Sequence, residues 1–443
     1  MKVIRTFKYG GISIPPRKLD VEFPVATAFL PSDAIVPLRQ HSGVPARRIV
    51  EIGDSIREGQ LLGKASGAGS SNIHSPIPGV VTGIRRVPDL MGGQVDALSI
   101  ALEGSFERLG RKTEIFPWKS LSKHQILRAI ADKGVVEDDG SGSPLFDRLH
   151  DPKGARESCL LVINCLESDP WNASASTILI ERAESIREGI FILQRVLSPS
   201  QTMLALDDTA SRLFIGAEKT APGDEPFPAE SILLESRYPQ DLPTSLKEAI
   251  SGRKAAPVET IVVSVTTVAS VYDAVVLNKP QVERYVTVSG DALKSPGILR
   301  ARIGTSIGEL LEECGGFSAP PESIVLNGPF RGSAVADLDF PILKTTKSIV
   351  ALTKAETRRS RTTACLRCGR CVLGCPVRLD PSRLYKCIVR GKLAEAVSEG
   401  LRACTECGTC AYLCPSRLPL VQAFSLARTE TVRKGIAAER RTV

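Results

Sequence analysis

Short apolar runs broken by turn residues open the chain, at residues 34–38, 48–50, 60–62 and 79–81. Runs this short predict an all-β unit over residues 1–110. From residue 120 to 255 the period changes. Residues 158–163 read as a buried strand, 175–197 as one amphipathic helix and 202–206 as a strand, which predicts an α/β unit. The most apolar stretch, residues 260–277, is interrupted by Ser264, Thr266, Thr267, Ser270 and Asp273. A membrane-crossing helix needs about 20 predominantly apolar residues, so this stretch reads as buried strand and helix. Any membrane association is then peripheral, through partners. Residues 256–350 return to β with one helix. Ser306 and Glu309 stand at the two positions of a capping box that opens it, and Gly315-Gly316 closes it. Residues 379–401 predict one long helical segment, and residues 426–443 a basic tail, helical or frayed.

Composition changes this picture in two places. The chain has 443 residues, room for two to four domains, and twelve cysteines. The N-terminus carries no apolar core of a secretory signal. In a reducing compartment so many cysteines favour metal ligation over disulfides. Cys159, Cys165, Cys314 and Cys387 are scattered and read as buried small apolar residues. The four histidines, His41, His74, His124 and His150, are equally scattered and read as structural. Net charge is +8, with basic residues at Arg358, Arg359 and Arg361 and in the tail from Arg428. Few aromatic residues accompany them, which argues against nucleic acid. A solvated charged face, or a dock for an acidic redox protein, remains.

The other eight cysteines form two groups. Cys365, Cys368, Cys371 and Cys375 precede Pro376, and Cys404, Cys407, Cys410 and Cys414 precede Pro415. Each is a C-x2-C-x2-C-x3-C-P run, the spacing of bacterial ferredoxins. Three cysteines at three-residue steps wrap one cubane. The fourth points away and, in two-cluster ferredoxins, ligates the other cluster. Cys365, Cys368, Cys371 and Cys414 are therefore assigned to one [4Fe–4S] cluster, and Cys404, Cys407, Cys410 and Cys375 to the second. The competing reading is zinc, which takes four ligands in two pairs and does not call for the third cysteine or the closing Cys-Pro.

Residues 50–62 and 74–81 resemble the barrel-sandwich hybrid fold of lipoyl and biotin carrier domains, without the lysine a carrier would modify. From residue 9 to 428 the chain resembles a single family, the RnfC family of the Rnf ion-translocating electron-transport complex. The resemblance rests on Gly10-Gly11-Ile12, Pro15-Pro16 and Lys18, on residues 36–41, His74-Ser75-Pro76, Tyr238-Pro239-Gln240 and Asn327-Gly328-Pro329, and on the second cysteine group with residues 415–422. It implies a multidomain α+β architecture. A barrel-sandwich hybrid (1–110) precedes an α/β domain similar to the flavin subunit of complex I (120–255), a β-grasp (SLBB) domain (256–350) and a ferredoxin-like α-helical domain with two [4Fe–4S] clusters (355–425). It also implies a peripheral subunit on the cytoplasmic face of the membrane. Such a subunit relays electrons between NAD(H) and membrane and ferredoxin-like partner subunits.

The family's α/β domain carries a glycine-rich loop for FMN and NADH. The matching residues 134–144 keep Gly134, Gly140, Gly142 and Pro144 but place Glu137, Asp138 and Asp139 where phosphate would lie. At an effective dielectric near 20, one like-charge contact at about 4 Å costs roughly 4 kcal/mol. A second motif, residues 164–171, keeps Asn164, Glu167 and Pro170. A third stands as Tyr238-Pro239-Gln240-Asp241-Leu242, without its two glycines, and a fourth as Ser264-Val265-Thr266-Thr267. The resemblance implies a flavin site at Gly134, Gly140, Gly142, Asn164 and Glu167. The acids imply loss or severe weakening of FMN and NADH chemistry. The alternative is a rearranged loop that still binds flavin through Asn164 and Glu167. Two other function classes stay in view: a flavin-dependent cobalamin reductase, which lacks the N-terminal barrel-sandwich segment, and a non-catalytic module that uses its clusters structurally.

Overall fold

The computed structural model describes residues 5–15, 25–89, 93–104, 115–151, 158–212, 214, 227–252, 259–357 and 361–436. After β1 (Ala26–Thr27), seven strands build the N-terminal unit: β2 (Asp33–Pro37), β3 (Arg47–Arg48), β4 (Ser55–Ile56), β5 (Leu61–Lys64), β6 (Ile73–His74), β7 (Gly79–Pro88) and β8 (Gln94–Leu102). They form two antiparallel sheets, in the orders β2-β8-β7-β4 and β3-β5-β6. Val36, Leu62, Ile73, Ile77, Leu98 and Ile100 fill the space between them. The short apolar runs predict these strands, and the resemblance to barrel-sandwich hybrids their arrangement in two layers.

The next unit contains α1 (Lys123–Asp132), α2 (Leu145–Leu149), β9 (Cys159–Asn164), α3 (Ser174–Glu181), α4 (Ala183–Leu197), β10 (Gln201–Leu206), β11 (Glu230–Leu233), α5 (Pro243–Ser251), β12 (Glu259–Ser264) and α6 (Val265–Val275). Its sheet is parallel, in the order β11-β10-β9-β12. Two expectations change here. The helix expected over 175–197 is two helices, α3 and α4, which meet at Arg182 with φ −127° and ψ 28°. The Arg182 guanidinium leaves the helical path to grip both oxygens of Asp273 on α6, at 2.9 and 2.7 Å. The unit also runs past the boundary expected at 255/256. β12 pairs with β9 from Glu259 opposite Cys159 to Ser264 opposite Asn164. An apolar run buried on both faces belongs in a parallel sheet.

The third unit has β13 (Glu283–Ser289), β14 (Gly297–Arg302), α7 (Ile307–Glu313), β15 (Ser323–Leu326), β16 (Ser333–Val335) and β17 (Ser348–Leu352). β1 joins its sheet at the edge, giving the order β1-β14-β13-β17-β15-β16. The capping box forms as expected. Ser306 Oγ accepts from the Glu309 N–H at 3.1 Å, and the Ser306 N–H donates to the Glu309 carboxylate at 3.0 Å.

The last unit is helical: α8 (Arg370–Leu373), α9 (Pro381–Val389), α10 (Leu393–Ser398), α11 (Thr409–Tyr412) and α12 (Leu420–Arg433). The single helix expected over 379–401 breaks between α9 and α10, where Gly391 turns the chain at φ +73°. α12, which runs into the basic tail, packs Leu420 and Phe424 with Leu384 and Cys387 of α9. Cys159, Cys165, Cys314 and Cys387 are all buried, as expected. Arg358, Arg359 and the tail beyond residue 436 lie outside the described residues. Among those described, no helix is long and apolar enough to cross a membrane.

The capping box makes a simple test of the third unit. Ser306→Ala is expected to lower stability by about 1 kcal/mol, read by denaturant unfolding, with iron content unchanged.

Candidate iron–sulfur site and the neighbouring cleft

The two cysteine groups fold as matched copies. Each turns at a left-handed residue between its first two cysteines (Arg367, Glu406) and again at a glycine after the second (Gly369, Gly408). Each then enters a one-turn helix, α8 or α11, and leaves through a left-handed residue after the Cys-Pro pair (Arg378, Arg417). A left-handed residue other than glycine costs roughly 1–2 kcal/mol. Four of them at matched positions mark a backbone shaped for a task other than its own stability.

The fourth cysteine crosses between copies. Cys375 lines one recess with Cys404, Cys407 and Cys410, walled by Leu379 and Phe424 and holding about 340 Å³ with its open mouth included. The Leu379 N–H donates to Cys375 Sγ at 3.3 Å and the Glu406 N–H to Cys404 Sγ at 3.4 Å. Four thiols, amide donors to sulfur and apolar walls fit a four-iron cubane. In the other copy Cys371 packs in one core with Cys414. The chain before Cys365 is fastened beside Cys414: the Thr363 N–H donates to the Ser416 carbonyl at 3.0 Å, and Ser416 Oγ to the Ala364 carbonyl at 2.8 Å. Cys365 and Cys368 themselves are exposed. Among the described residues, no three His, Cys, Asp or Glu side chains close on a point as around a single ion. Burial pushes the Cys404 thiol up to about 11, so iron binding there displaces a proton.

The recess is clamped from three sides. From the α/β unit, Tyr238 Oη donates to the Cys407 carbonyl at 2.5 Å. From the third unit, Phe330 lies against Gly408, where a Cβ would stand 2.4 Å from the Phe330 carbonyl oxygen. The Phe330 ring is 4.6 Å from Tyr238 and 5.3 Å from Tyr412, centroid to centroid. From the N-terminus, the Gly11 N–H donates to the Gly374 carbonyl at 2.9 Å, and a Cβ on Gly10 would stand 2.5 Å from the Cys375 carbonyl carbon. None of these three roles is legible in the spacing of the cysteines. The only sequence signal is that Gly10-Gly11, Tyr238 and Asn327-Gly328-Pro329 stand out in the resemblance without a task.

The five residues expected to hold flavin do not meet around an open face. Gly134 abuts Asn72, whose carbonyl oxygen would lie 2.3 Å from a Cβ, under Lys344, whose Nζ donates to the Asn72 and Gly134 carbonyls at 2.9 and 2.6 Å. Gly140 faces open space, and Gly142 is buried near His41 and Ser42. Asn164 Nδ2 donates to the Asp241 carbonyl at 2.9 Å. Glu167 caps α3, accepting from the Ala175 N–H at 2.7 Å and from Ser174 Oγ at 3.1 Å.

The three acids lie beside them. Glu137 is fully buried and accepts from the Ser264 N–H at 3.4 Å and from Thr267 Oγ1 at 3.2 Å. Burial pushes its carboxyl up to about 8, with Asp139 and Asp138 adding and Arg148 opposing. Asp138 is also buried, which works against its charge. Lys347 at 3.6 Å, a contact with Arg284 Nη2 and the hydroxyls of Ser264 and Thr266 outweigh that and hold it well below the carboxylate range. Asp139 pairs with Arg148 at 2.5 Å.

A recess in which Cys375 joins Cys404, Cys407 and Cys410, beside a parallel α/β sheet and a β-grasp sheet, fits an iron–sulfur protein of the two-cluster ferredoxin class. Family models agree along the chain: RnfC barrel sandwich hybrid domain at residues 6–105, Nuo51 FMN-binding domain at 130–278, SLBB domain at 285–333 and 4Fe-4S dicluster domain at 358–415. The first of these argues against the cobalamin-reductase alternative. The C subunit of the ion-translocating oxidoreductase complex of Rhodobacter capsulatus is 34% identical over 430 residues, 95% of this chain and 82% of that one. The C subunit of the proton-translocating ferredoxin:NAD(+) oxidoreductase complex of Clostridium ljungdahlii is 29% identical over 86% of this chain and 84% of its own length. The Na(+)-translocating counterpart of Acetobacterium woodii is 28% identical over 85% and 86%. A chain of a solved NAD+-reducing [NiFe]-hydrogenase, in its H2-reduced state, aligns with TM-score 0.47 and 17% identity, over 73% of this chain and 63% of that one. The chain belongs to the RnfC family, the C subunits of Rnf-type ion-translocating oxidoreductase complexes. The Nuo51 match implies FMN in the α/β unit. The residues present do not fit that group, because the carboxyls of Glu137 and Asp138 fill the space at the start of α6 and Gly134 is packed against the Asn72 carbonyl.

The clamp and the buried acid are each open to measurement. Tyr238→Phe is expected to keep its iron, lose about 0.5–1.5 kcal/mol of stability, and shift the midpoint potential of one of the two reduced-cluster EPR signals only. Gly10→Ala, strained at φ +64° and against Cys375, is expected to lose one cluster, with iron falling from about eight to about four per chain. For Glu137, the folded carboxyl stands at about 8 against an ordinary 4.5. Its stabilising proton is fully present below that ordinary value and is lost as pH rises through about 8. Melting temperature should fall with rising pH across that window, and Glu137→Gln should flatten the fall.

Proposed function

We propose that the chain relays single electrons through two [4Fe–4S] clusters as a peripheral subunit of a membrane-bound, ion-translocating ferredoxin:NAD+ oxidoreductase complex, on the cytoplasmic face. Cys365, Cys368, Cys371 and Cys414 hold one cluster, and Cys404, Cys407, Cys410 and Cys375 the other. The observation that carries this reading is the recess in which one copy's fourth cysteine joins three from the other. A cluster when bound supplies a reversible one-electron couple. The chain's own residues exclude water with Leu379 and Phe424 and direct N–H groups at sulfur. The division into barrel-sandwich, α/β, β-grasp and dicluster units belongs to this reading, as do membrane and ferredoxin-like partner subunits.

Anaerobic purification with iron, sulfide and EPR assays tests it. About eight irons per chain, reduced and reoxidised without loss, are expected. Zinc, or clusters that cannot be cycled, would remove the reading.

An acidic redox protein is the expected partner at the exposed cradle. Arg361, Arg367, Arg370 and Arg378 are all exposed there, and residues 361–379 contain no acid. Leu366 and Leu373, 68% and 79% exposed, form the apolar centre. Opposite charge mainly accelerates encounter. Arg370→Glu should slow reduction by a reduced acidic ferredoxin about tenfold at low salt and flatten its salt dependence, with dithionite reduction unchanged. An unaltered rate would rule the dock out.

A further inference from the structure

We infer that the α/β unit's cleft is closed by a network of the chain's own side chains, so that the unit folds and holds the Cys407 loop with no nucleotide bound. Four segments carry the unusual residues of this unit: 137–139, 164–171, 238–242 and 264–267. They are far apart in sequence, and they bond to one another. Glu137 accepts from the Ser264 N–H and Thr267 Oγ1, and Asp138 from Thr266 Oγ1, which joins the first segment to the last. Asn164 Nδ2 donates to the Asp241 carbonyl, and the Asp241 N–H donates to Ser168 Oγ at 3.0 Å, which joins the middle two.

Cations join the network. Asp138 has Arg284 and Lys347, Asp139 has Arg148, and Asp241 has Arg331. The Asp138 and Arg284 side chains are 0% and 3% exposed, so this pair is not a solvated surface contact. An incoming phosphate would find Arg284 and Lys347 already engaged by Asp138, which offsets one of their two charges. At the start of α6, where free N–H groups take anions, the Ser264 N–H already has a carboxyl partner. The network ends at the cluster. The Arg331 guanidinium that pairs with Asp241 lies 5.8 Å from the Tyr238 ring, and Tyr238 donates to Cys407. The closed cleft thus supports the clamp directly.

The test uses the intact, cluster-loaded chain. Acid denaturation of the purified protein should release no flavin, FMN fluorescence should show no saturable quenching, and millimolar FMN should leave the melting temperature unchanged. Asp138→Asn, which leaves Arg284 without its counter-charge, should lower the melting temperature by several degrees with FMN giving no rescue. Asp241→Asn should shift the EPR signal of one cluster without any gain of flavin. Stoichiometric FMN in the purified protein, or an FMN-dependent rise in melting temperature, would overturn the inference. So would an Asp138→Asn protein as stable as the parent. If that variant does not fold, the titration of the parent protein still decides. Iron content and reversible reduction are read on the same samples, so failure of the relay reading shows separately.

Discussion

The buried Asp138–Arg284 pair is the contact on which the body of the molecule depends. Asp138 sits on a loop of the α/β unit and Arg284 on β13 of the β-grasp unit, so one buried ion pair ties the two units together. Such a pair adds little over a well-packed apolar contact, yet losing one partner costs about 3–5 kcal/mol, because the other charge stays behind unpaired. Lys347, two hydroxyls and the neutral carboxyl of Glu137 surround it. Retention of so many polar groups in a dry site makes sense where geometry, rather than net stability, is held. What they hold is the orientation of the two units that press on the Cys407 loop.

A fold suited to cradling a nucleotide and a fold that cradles a cluster thus meet through side-chain and backbone contacts of this chain. Tyr238 reaches the Cys407 carbonyl from one unit, and Phe330 reaches Gly408 from the other. The N-terminal strap closes the third side, with Gly10 and Gly11 laid along Gly374 and Cys375 where no side chain fits. Distant parts of the sequence are joined here by backbone contacts that leave little room for drift.

Much of this was legible in the sequence, and the rest for definable reasons was not. Cysteine spacing located the dicluster domain, since ligand geometry is local and periodic, and Cys375 does line a recess with Cys404, Cys407 and Cys410. The barrel strands and the Ser306 capping box followed from pattern and from a cap that reports on itself. The kink at Arg182 was hidden because the apolar period continues through it, while its guanidinium pairs with the distant Asp273. The β12 strand was placed beyond the wrong boundary because an apolar run does not say which sheet it joins. The acids at 137–139 were read as repelling a phosphate. Their burial against Arg284 and Ser264 depends on residues well away in sequence, which local pattern cannot supply.

The two cradles share one backbone plan, yet their glycines live under different constraints. A Cβ on Gly408 would strike the Phe330 carbonyl, whereas one on Gly369 would meet nothing within 4 Å. Oxygen and chelators reach a cluster through such open space. The cradle that holds Cys365 and Cys368, whose thiols are exposed, is therefore the one expected to lose its cluster first under air.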